Sequence, residues 1–287
     1  MKILIAGLTT NYQFKRLKEE GGKLGHIVDG CKSTDLIIKS GNGFGVELLG
    51  KELSSYDLIY SFVTRRRWGW YQAFKYLQEN FSTKIINDLS ALPTPVSEYF
   101  VQDVNALPAP KTFTIYSSKV IPEIFSELTF PLIVKNGIVH KGKEVFKVEN
   151  ERELIEKTDE IGKTGNPVVV RQFIPNDGDI RVFTIDGRAV AAMKRIPSEG
   201  EFRSNISLGG TGEKFDLSQN FEIKTLAEKA SSVAKILIAG VDIIIDKDTN
   251  KPYILEINSC PQFEGLEKYT GENVALSIIK YFEKFQK

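Results

Sequence analysis

Two strand-like segments joined by a polar turn constrain the fold of the last third of the chain. The segments are VDIIID (241–246) and PYILEIN (252–258), with KDTNK between them. Asp and Asn are typical turn residues, so the segments are predicted to fold back as a hairpin centred near Thr249. In that register Asp242 lies directly opposite Glu256. Asn258 follows two residues further along the same face.

The facing acids of this hairpin leave two interpretations open. Carboxylates directly opposite each other in a sheet repel, which is tolerable where both side chains are solvated at a sheet edge. The alternative is that a divalent cation lies between Asp242 and Glu256, with Asn258 as a third oxygen ligand. Oxygen ligands without His or Cys favour Mg²⁺ or Mn²⁺ over zinc, and Mg²⁺ bound by few carboxylates usually completes its coordination with waters and nucleotide phosphates. The second interpretation therefore predicts a nucleoside triphosphate site.

Composition is that of a soluble globular protein. Of the 287 residues 41% are hydrophobic and 26% are charged, and the formal net charge is only +1. A neutral balance gives no field that would attract nucleic acid or an anionic membrane, and the longest apolar runs are too short to span a bilayer. The start of the chain lacks a signal-peptide pattern, and two cysteines form no disulfide framework. We expect a cytoplasmic protein without nucleic-acid or membrane partners.

The first 90 residues alternate between strand-like and helix-like segments. KILIAG, DLIYSFV and KIIND are predicted strands, and FKRLKEEGGKLG and WYQAFKYLQENF are predicted helices. This order predicts a parallel α/β domain. The intervening SGNGFGVELLG matches neither the dinucleotide fingerprint nor the phosphate loop, and is interpreted as a glycine-rich turn. Later in the chain, Asp186-Gly187 predicts a hairpin turn, and a long helix is predicted over 221–238.

Motifs in the last third resemble the ATP-grasp carboxylate–amine ligases of the RimK type. FRSN followed by a double glycine, the acidic strand, EIN, and PxxEGxEKxTG occur here in the order typical of that family. The resemblance runs from about residue 90 to the C-terminus. It implies an ATP-grasp fold of mixed α/β and α+β class. A Rossmann-like N-terminal α/β domain (1–90) then precedes two α+β lobes (91–173 and 174–287) that enclose ATP.

The resemblance also implies roles for individual residues. Lys135, at the end of the predicted strand PLIVK, corresponds to the lysine at the α- and β-phosphates. Arg203 corresponds to the key contact in phosphoryl transfer, so these two are the implied catalytic residues. Asp242, Glu256 and Asn258 correspond to the metal ligands, which would hold two Mg²⁺ or Mn²⁺ ions. The implied ATP-binding residues are Lys135, Gln172, Phe173, Ile174, Asp179, Arg203, Ser204 and Asn205.

The implied activity is ATP-driven amide formation through an acyl phosphate. The tail motif resembles the glutamate-adding branch more than the LysX-like branch. This favours glutamate or a similar amino acid as the amine, with a small molecule or a peptide as the carboxylate acceptor. The candidate contacts for an acidic acceptor are Arg181 and the basic cluster Arg65, Arg66 and Arg67. For that cluster, the alternative is a solvated loop beside packed tryptophans.

The sequence departs from the family pattern at three places. Glu98 stands where many relatives have a lysine, and Gln172 replaces an acidic hinge residue. The glycine-rich phosphate loop is reduced to NGIVHKGKEV, whose candidate phosphate contacts are His140, Lys141 and Lys143. Glu98 and the shortened loop keep open an alternative function, a nucleotide-binding ATP-grasp module with a regulatory or scaffold role and no ligase turnover. The last helix leaves a choice between core packing and burial against a second subunit of a homo-oligomer.

Overall fold

The computed structural model of the protein describes residues 1–41, 43–48, 50–63, 68–88, 106–137, 144–204, 206 and 209–286. Within these residues the strands form four sheets, two in the N-terminal unit and two in the remainder of the chain. None of the described helices is long and apolar enough to cross a membrane.

A parallel sheet in the order β2-β1-β6-β7 forms the centre of the N-terminal unit. Its elements are β1 (Lys2–Ala6), β2 (Ile27–Cys31), β6 (Leu58–Ser61) and β7 (Lys84–Ile86), with helices α1 (Tyr12–Lys23) and α2 (Trp68–Asn80). Ile3, Leu4 and Ile5 are all buried, because a central parallel strand is covered on both faces. The α/β character predicted from the alternating segments is therefore confirmed.

The segment interpreted as a glycine-rich turn also contains a strand. A small antiparallel sheet consists of β3 (Leu36–Lys39), β4 (Gly45–Leu48) and β5 (Lys51–Glu52). A turn does precede β4, since Gly41 and Gly43 have φ of +114° and +104°. Val46 and Leu48, however, are buried against the α2 side of the parallel sheet. Two apolar residues in so short a strand give too little periodicity to be recognised.

An antiparallel sheet in the order β10-β9-β11-β8 follows in the chain. Its elements are β8 (Thr112–Ile115), β9 (Leu132–Asn136), β10 (Val145–Val148) and β11 (Val168–Gln172), with helices α3 (Ile121–Ile124) and α4 (Glu151–Gly162). The strand predicted at PLIVK is confirmed as β9, and it pairs with β10, where Lys135 faces Val145. The side chain of Asn150 caps the N-terminus of helix α4, which buries Leu154 and Ile161 against the sheet. The division of the chain at residues 90 and 173 stays a prediction.

The last part of the chain forms an antiparallel sheet in the order β14-β13-β12-β15-β16. Its elements are β12 (Asp179–Ile185), β13 (Arg188–Ile196), β14 (Thr211–Lys214), β15 (Ile238–Ile245) and β16 (Pro252–Asn258), with helices α5 (Phe221–Val233), α6 (Glu264–Thr270) and α7 (Val274–Glu283). Asp186 and Gly187 have φ of +55° and +70°, as the predicted two-residue turn requires. Helix α5 ends five residues before the predicted end, because Lys235 adopts a left-handed φ of +56° and turns the chain into β15.

The two faces of this five-stranded sheet differ. Helix α5 covers one face, where Ala227 packs in the same core as Val241. On the other face, Phe183 and Ile185 pack with the N-terminal parallel sheet and α7. Further back along the same strand and on the same face, Asp179 and Arg181 take the place of apolar side chains. This region of the face, called the polar end below, holds the residues of the candidate site.

Candidate active site

The hairpin of β15 and β16 brings the predicted ligands together. Asp242 faces Glu256, as predicted, and Asn258 faces Gly240 at the end of the ladder. The register shifts by one residue between Asp242 and Ile243, so the pairs nearer the turn differ from the predicted ones. Asp242 is buried and Glu256 is half-buried. The interpretation of this hairpin as a fully solvated sheet edge is therefore wrong for Asp242.

Two arginines and a second aspartate form a buried row with Asp242 at the polar end. Arg181 on β12 faces Asp242, and Asp179 on the same strand faces Arg195 on β13. Arg181 contacts Asp242 through Nε and through Nη2, the latter at 2.7 Å from Oδ2. Arg195 bridges both acids: its Nε lies 2.7 Å from Asp179 Oδ1, and its Nη2 contacts Asp179 and lies 2.7 Å from Asp242 Oδ2. The row thus balances two negative with two positive charges.

The arginines determine the ionisation of Asp242. Burial raises the pKa of Asp242, but the adjacent Arg181 and Arg195 outweigh burial and hold that pKa below its usual value. Burial also raises the pKa of Asp179, and Arg195 offsets only part of this effect because the Asp242 charge acts in the same direction as burial. Charge compensation at Asp242 therefore comes from arginines in the structure. Asp242 therefore does not need a bound cation to balance its charge.

The segment that carries Arg203 holds its guanidinium against an acid two residues earlier. Arg203 donates from Nη2 to Glu201 Oε2 at 2.6 Å and from Nε to Oε1 at 3.0 Å. These hydrogen bonds lower the pKa of Glu201 to about 2, against the opposing effect of burial. Ser204, which follows, is buried. The position of the Arg203 guanidinium is thus fixed by a local carboxylate.

Lys135 and the predicted hinge lie in the neighbouring four-stranded sheet. Lys135 is half-buried in the middle of that sheet, facing Val169 on β11. The backbone N–H of Gln172 donates to Lys111 O at 2.9 Å, and that of Phe173 donates to Pro131 O at 3.2 Å. Because both N–H groups are bonded inside the protein, a contact between adenine and this stretch would use other backbone groups.

Comparison with known proteins gives the family. Residues 105–282 match the RimK-like ATP-grasp domain. The chain belongs to this family. Its membership confirms the resemblance to the RimK type, the ATP-grasp fold and the ligase class predicted from the sequence.

Curated relatives and solved structures resemble the chain over its whole length. A probable alpha-L-glutamate ligase of Marinomonas sp. (strain MWYL1) is 32% identical over 296 residues, covering 99% of this chain and 96% of the relative. The corresponding protein of Vibrio atlanticus (strain LGP32) is 30% identical over 293 residues, with the same two coverages. The D-cycloserine synthetase DcsG has a TM-score of 0.74 at 12% identity, covering both chains completely. The ATP-grasp ligase PsnB, complexed with minimal precursor, Mg and ADP, has a TM-score of 0.73 at 16% identity, covering 99% of this chain and 98% of that one.

Some of the residues singled out from the sequence lie outside the described part of the chain. They are Arg65, Arg66, Arg67, Glu98, His140, Lys141, Lys143 and Asn205. The roles of these residues stay predictions. So do the roles of the described residues, of which the structure brings Asp179, Arg181, Asp242, Glu256 and Asn258 onto one sheet face.

Sequence reasoning missed Arg195 and Glu201. Arg195 could have been found from the hairpin at Asp186-Gly187, since counting outward from that turn pairs the DIR segment with the KRI segment. A register shift between Phe183 and Thr184 hides the pair, because an unbroken count places Lys194 opposite Asp179. Glu201 stands two residues before Arg203, a spacing that by itself predicts no contact in a segment without regular structure.

Proposed function

We propose that the protein joins a carboxylate to an amino acid, with glutamate or a similar amino acid as the amine, at the expense of ATP. The observation that carries this proposal is the polar end itself. Asp242 and Glu256 face each other there, Asn258 lies at the end of the same ladder, and Asp179 and Arg181 share their face. A polar patch rich in carboxylate and amide oxygens on one sheet face suits a metal-bound triphosphate better than an apolar ligand.

The donor set fits Mg²⁺ or Mn²⁺. Two carboxylates and an amide offer only oxygen, which these hard cations prefer. Among the described residues, no group of three or more His, Cys, Asp and Glu could hold an ion unaided. We therefore infer that nucleotide phosphates complete the coordination of two ions held by Asp242, Glu256 and Asn258. Bound in this way, the ions would neutralise phosphate charge and orient the triphosphate.

The chain's own residues position and stabilise the reacting groups. An oxygen of the acceptor carboxylate attacks the γ-phosphorus, the bond from that phosphorus to the bridging oxygen breaks, and ADP leaves. The amine nitrogen then attacks the acyl carbon, phosphate leaves, and the nitrogen loses a proton. Lys135 and Arg203 offset negative charge on the phosphates during the first step. Arg181 would bind an acidic substrate only after its hydrogen bonds to Asp242 are broken.

The proposed substrates rest on likeness to known proteins, in sequence for the amine and in fold for the acceptor. The relatives named above are probable alpha-L-glutamate ligases and align over nearly the whole chain, which supports glutamate as the amine. The PsnB structures contain precursor peptide, which supports a peptide as the acceptor class alongside small carboxylates. The basic cluster Arg65, Arg66 and Arg67 would recognise an acidic acceptor.

The first test is ADP formation. Purified protein is incubated with Mg²⁺, ATP, glutamate and a panel of acidic small molecules and peptides, and products are sought by mass spectrometry as a gain of one glutamyl residue. Amino-acid-dependent ADP release with such a product is expected. If no pair of acceptor and amine raises ADP release above the background of ATP alone, the nucleotide-binding module without turnover is the better description.

A matched pair of variants tests the ion site. Glu256→Gln removes one charge from the proposed ligand set and is expected to lower ADP formation roughly a hundredfold or more. Glu213→Gln makes the same change at an exposed position on β14 and should leave ADP formation unchanged. Equal activities in the two variants would contradict the assignment of Glu256.

A further inference from the structure

The side chain of Asn87 is buried. Asn87 belongs to none of the sequence motifs and has no role in the proposed chemistry. It follows β7 directly, at the C-terminal edge of the parallel sheet, and is 1% exposed. Its φ of +58° is left-handed, a conformation that Asn adopts more readily than most residues. A buried amide in this backbone conformation must find partners for two donors and an acceptor.

The amide finds all of its partners in the C-terminal part of the chain. Nδ2 donates to the carbonyl oxygens of Ile238 and Ser259, each at 2.7 Å. The backbone N–H of Ile238 donates to Oδ1 at 3.1 Å. The side chain thus acts like an inserted peptide group between the first residue of β15 and the residue that follows β16.

This insertion lies next to the proposed ion ligands. The β15–β16 ladder ends at the pair Gly240 and Asn258. Just beyond that pair, the Asn87 side chain donates hydrogen bonds to both segments of the hairpin. Asn258 accepts a hydrogen bond at Oδ1 from the backbone N–H of Cys260, at 2.8 Å. The direction of the Asn258 amide therefore depends on the backbone path through Ser259, whose carbonyl is bonded to Asn87.

We propose that Asn87 is a positioning residue for the divalent-cation site, through which the N-terminal unit orients Asn258. The inference rests on the proposed function, since it assumes that Asn258 is an ion ligand. Groups that orient the ligands of a metal commonly change metal affinity or activity by about 10- to 100-fold when they are removed. A residue that only joined two parts of the fold would instead change stability and leave ion affinity as it was.

The test uses two variants of the full chain. Asn87→Asp keeps the shape, the left-handed preference and the acceptor for the Ile238 N–H, but its carboxylate cannot donate to the two carbonyls. Asn87→Gly suits the backbone and removes the whole amide. The probe is Mn²⁺ titrated by electron paramagnetic resonance in the presence of a non-hydrolysable ATP analogue. Both variants are expected to bind Mn²⁺ about 10- to 100-fold more weakly.

A steady-state measurement separates positioning from general damage. The apparent KM for Mg²⁺ should rise in both Asn87 variants, while the KM for ATP at saturating Mg²⁺ stays close to that of the wild type. The control is Thr83→Val, which removes a buried hydrogen bond from Thr83 Oγ1 to Tyr56 O at the other end of β7. This control should lower the melting temperature without changing Mn²⁺ affinity.

The outcomes distinguish this inference from the proposed function. If the wild type binds no Mn²⁺ together with the nucleotide analogue, the proposed ion site is wrong and the role of Asn87 fails with it. If the wild type binds Mn²⁺ and the Asn87 variants bind it equally well, only the inference about Asn87 is overturned. Loss of folding in both variants, with Thr83→Val still folded, would also overturn it, because Asn87 would then serve only to hold the fold together.

Discussion

Asp242 accepts hydrogen bonds from Arg181 on the adjacent strand β12 and from Arg195 one strand further away on β13, so its charge is balanced within the protein. An ion bound at Asp242 would have to compete with Arg181 and Arg195 for the same carboxylate oxygens. Arg195 also bonds Asp179 and is therefore the residue on which both buried acids depend. Removing one partner of a buried ion pair leaves an uncompensated charge, which is more costly than the pair was favourable.

Arg195→Met tests this dependence. At neutral pH the free energy of unfolding is expected to fall by about 3–5 kcal/mol, as for other broken buried pairs. The pKa of Asp179 is already raised by burial and would rise further without Arg195. A carboxylate with a raised pKa in the folded state takes up a proton before the unfolded chain does, so acidification relieves the variant's penalty. Urea unfolding at neutral pH and at mildly acid pH measures the effect.

The matched control for this experiment is Arg188→Met on the same strand. Arg188 is exposed, so its replacement should change the unfolding free energy by less than about 0.5 kcal/mol at either pH. A loss in Arg195→Met that stays the same as the pH falls would show that Asp179 does not respond to the missing guanidinium.

At the scale of elements, the sequence predicted the pairing that matters and missed the irregularities around it. The pairing of Asp242 with Glu256 was predicted correctly from a hairpin centred near Thr249, although a register shift after Asp242 changes the pairs nearer the turn. The pairing of Asp179 with Arg195 was not predicted, because the ladder skips Val190 on β13 and the pairing moves by one residue. The end of α5 depends on the φ of Lys235, which a periodic pattern does not report. The spacing of residues in the sequence therefore predicts which positions face each other across a hairpin. Bulges and burial depend instead on residues that are distant in the sequence.

Gly178 allows β12 and β13 to approach each other closely at the polar end. It precedes Asp179, has φ of +108°, and a Cβ built on it would lie 2.1 Å from the Arg195 carbonyl oxygen. Gly178→Ala should therefore displace the start of β12 from β13. We expect roughly 1–2 kcal/mol from the positive φ and about 1–3 kcal/mol more from the contact with Arg195. Urea unfolding measures the loss, and weaker nucleotide binding should accompany it.

Gly165→Ala separates the two contributions to that loss. Gly165 also has a positive φ, +70°, but a Cβ there would have no atom within 4 Å. This control should show only the smaller backbone cost and normal nucleotide affinity. If both variants lose the same stability, close packing between Gly178 and β13 does not contribute.

At the scale of the whole molecule, the first and last elements of the chain share one core. Ile3 on β1 packs in the same buried cluster as Phe183 on β12 and Phe282 on α7. The apolar face of the last helix, including Ile278 and Ile279, is thus buried within the chain rather than left for a second subunit. A homo-oligomer stays a prediction without support from this helix.

A polar cluster reinforces this connection between the N-terminal unit and the C-terminal helices. Glu267 on α6 accepts hydrogen bonds from Tyr12 Oη at 2.6 Å and from Arg16 Nε at 2.9 Å, both on α1. It also accepts one from the Ala275 N–H at 3.0 Å. Burial, reinforced by the Glu267 carboxylate, raises the pKa of Tyr12 to about 12, so the phenol stays a donor at neutral pH.

Glu267→Gln tests whether the two parts of the molecule unfold as one. The amide keeps the shape but loses the charge that three donors share, so we expect the free energy of unfolding to fall by about 1–3 kcal/mol. Glu272→Gln, at an exposed pair with Lys214, is the matched control and should change little. Because the core around Ile3 and Phe282 is continuous, the thermal transition of Glu267→Gln should shift to lower temperature and remain single. Two separate transitions in calorimetry would instead mean that the polar cluster, and not the shared core, couples the N-terminal sheet to the sheet that carries Asp242.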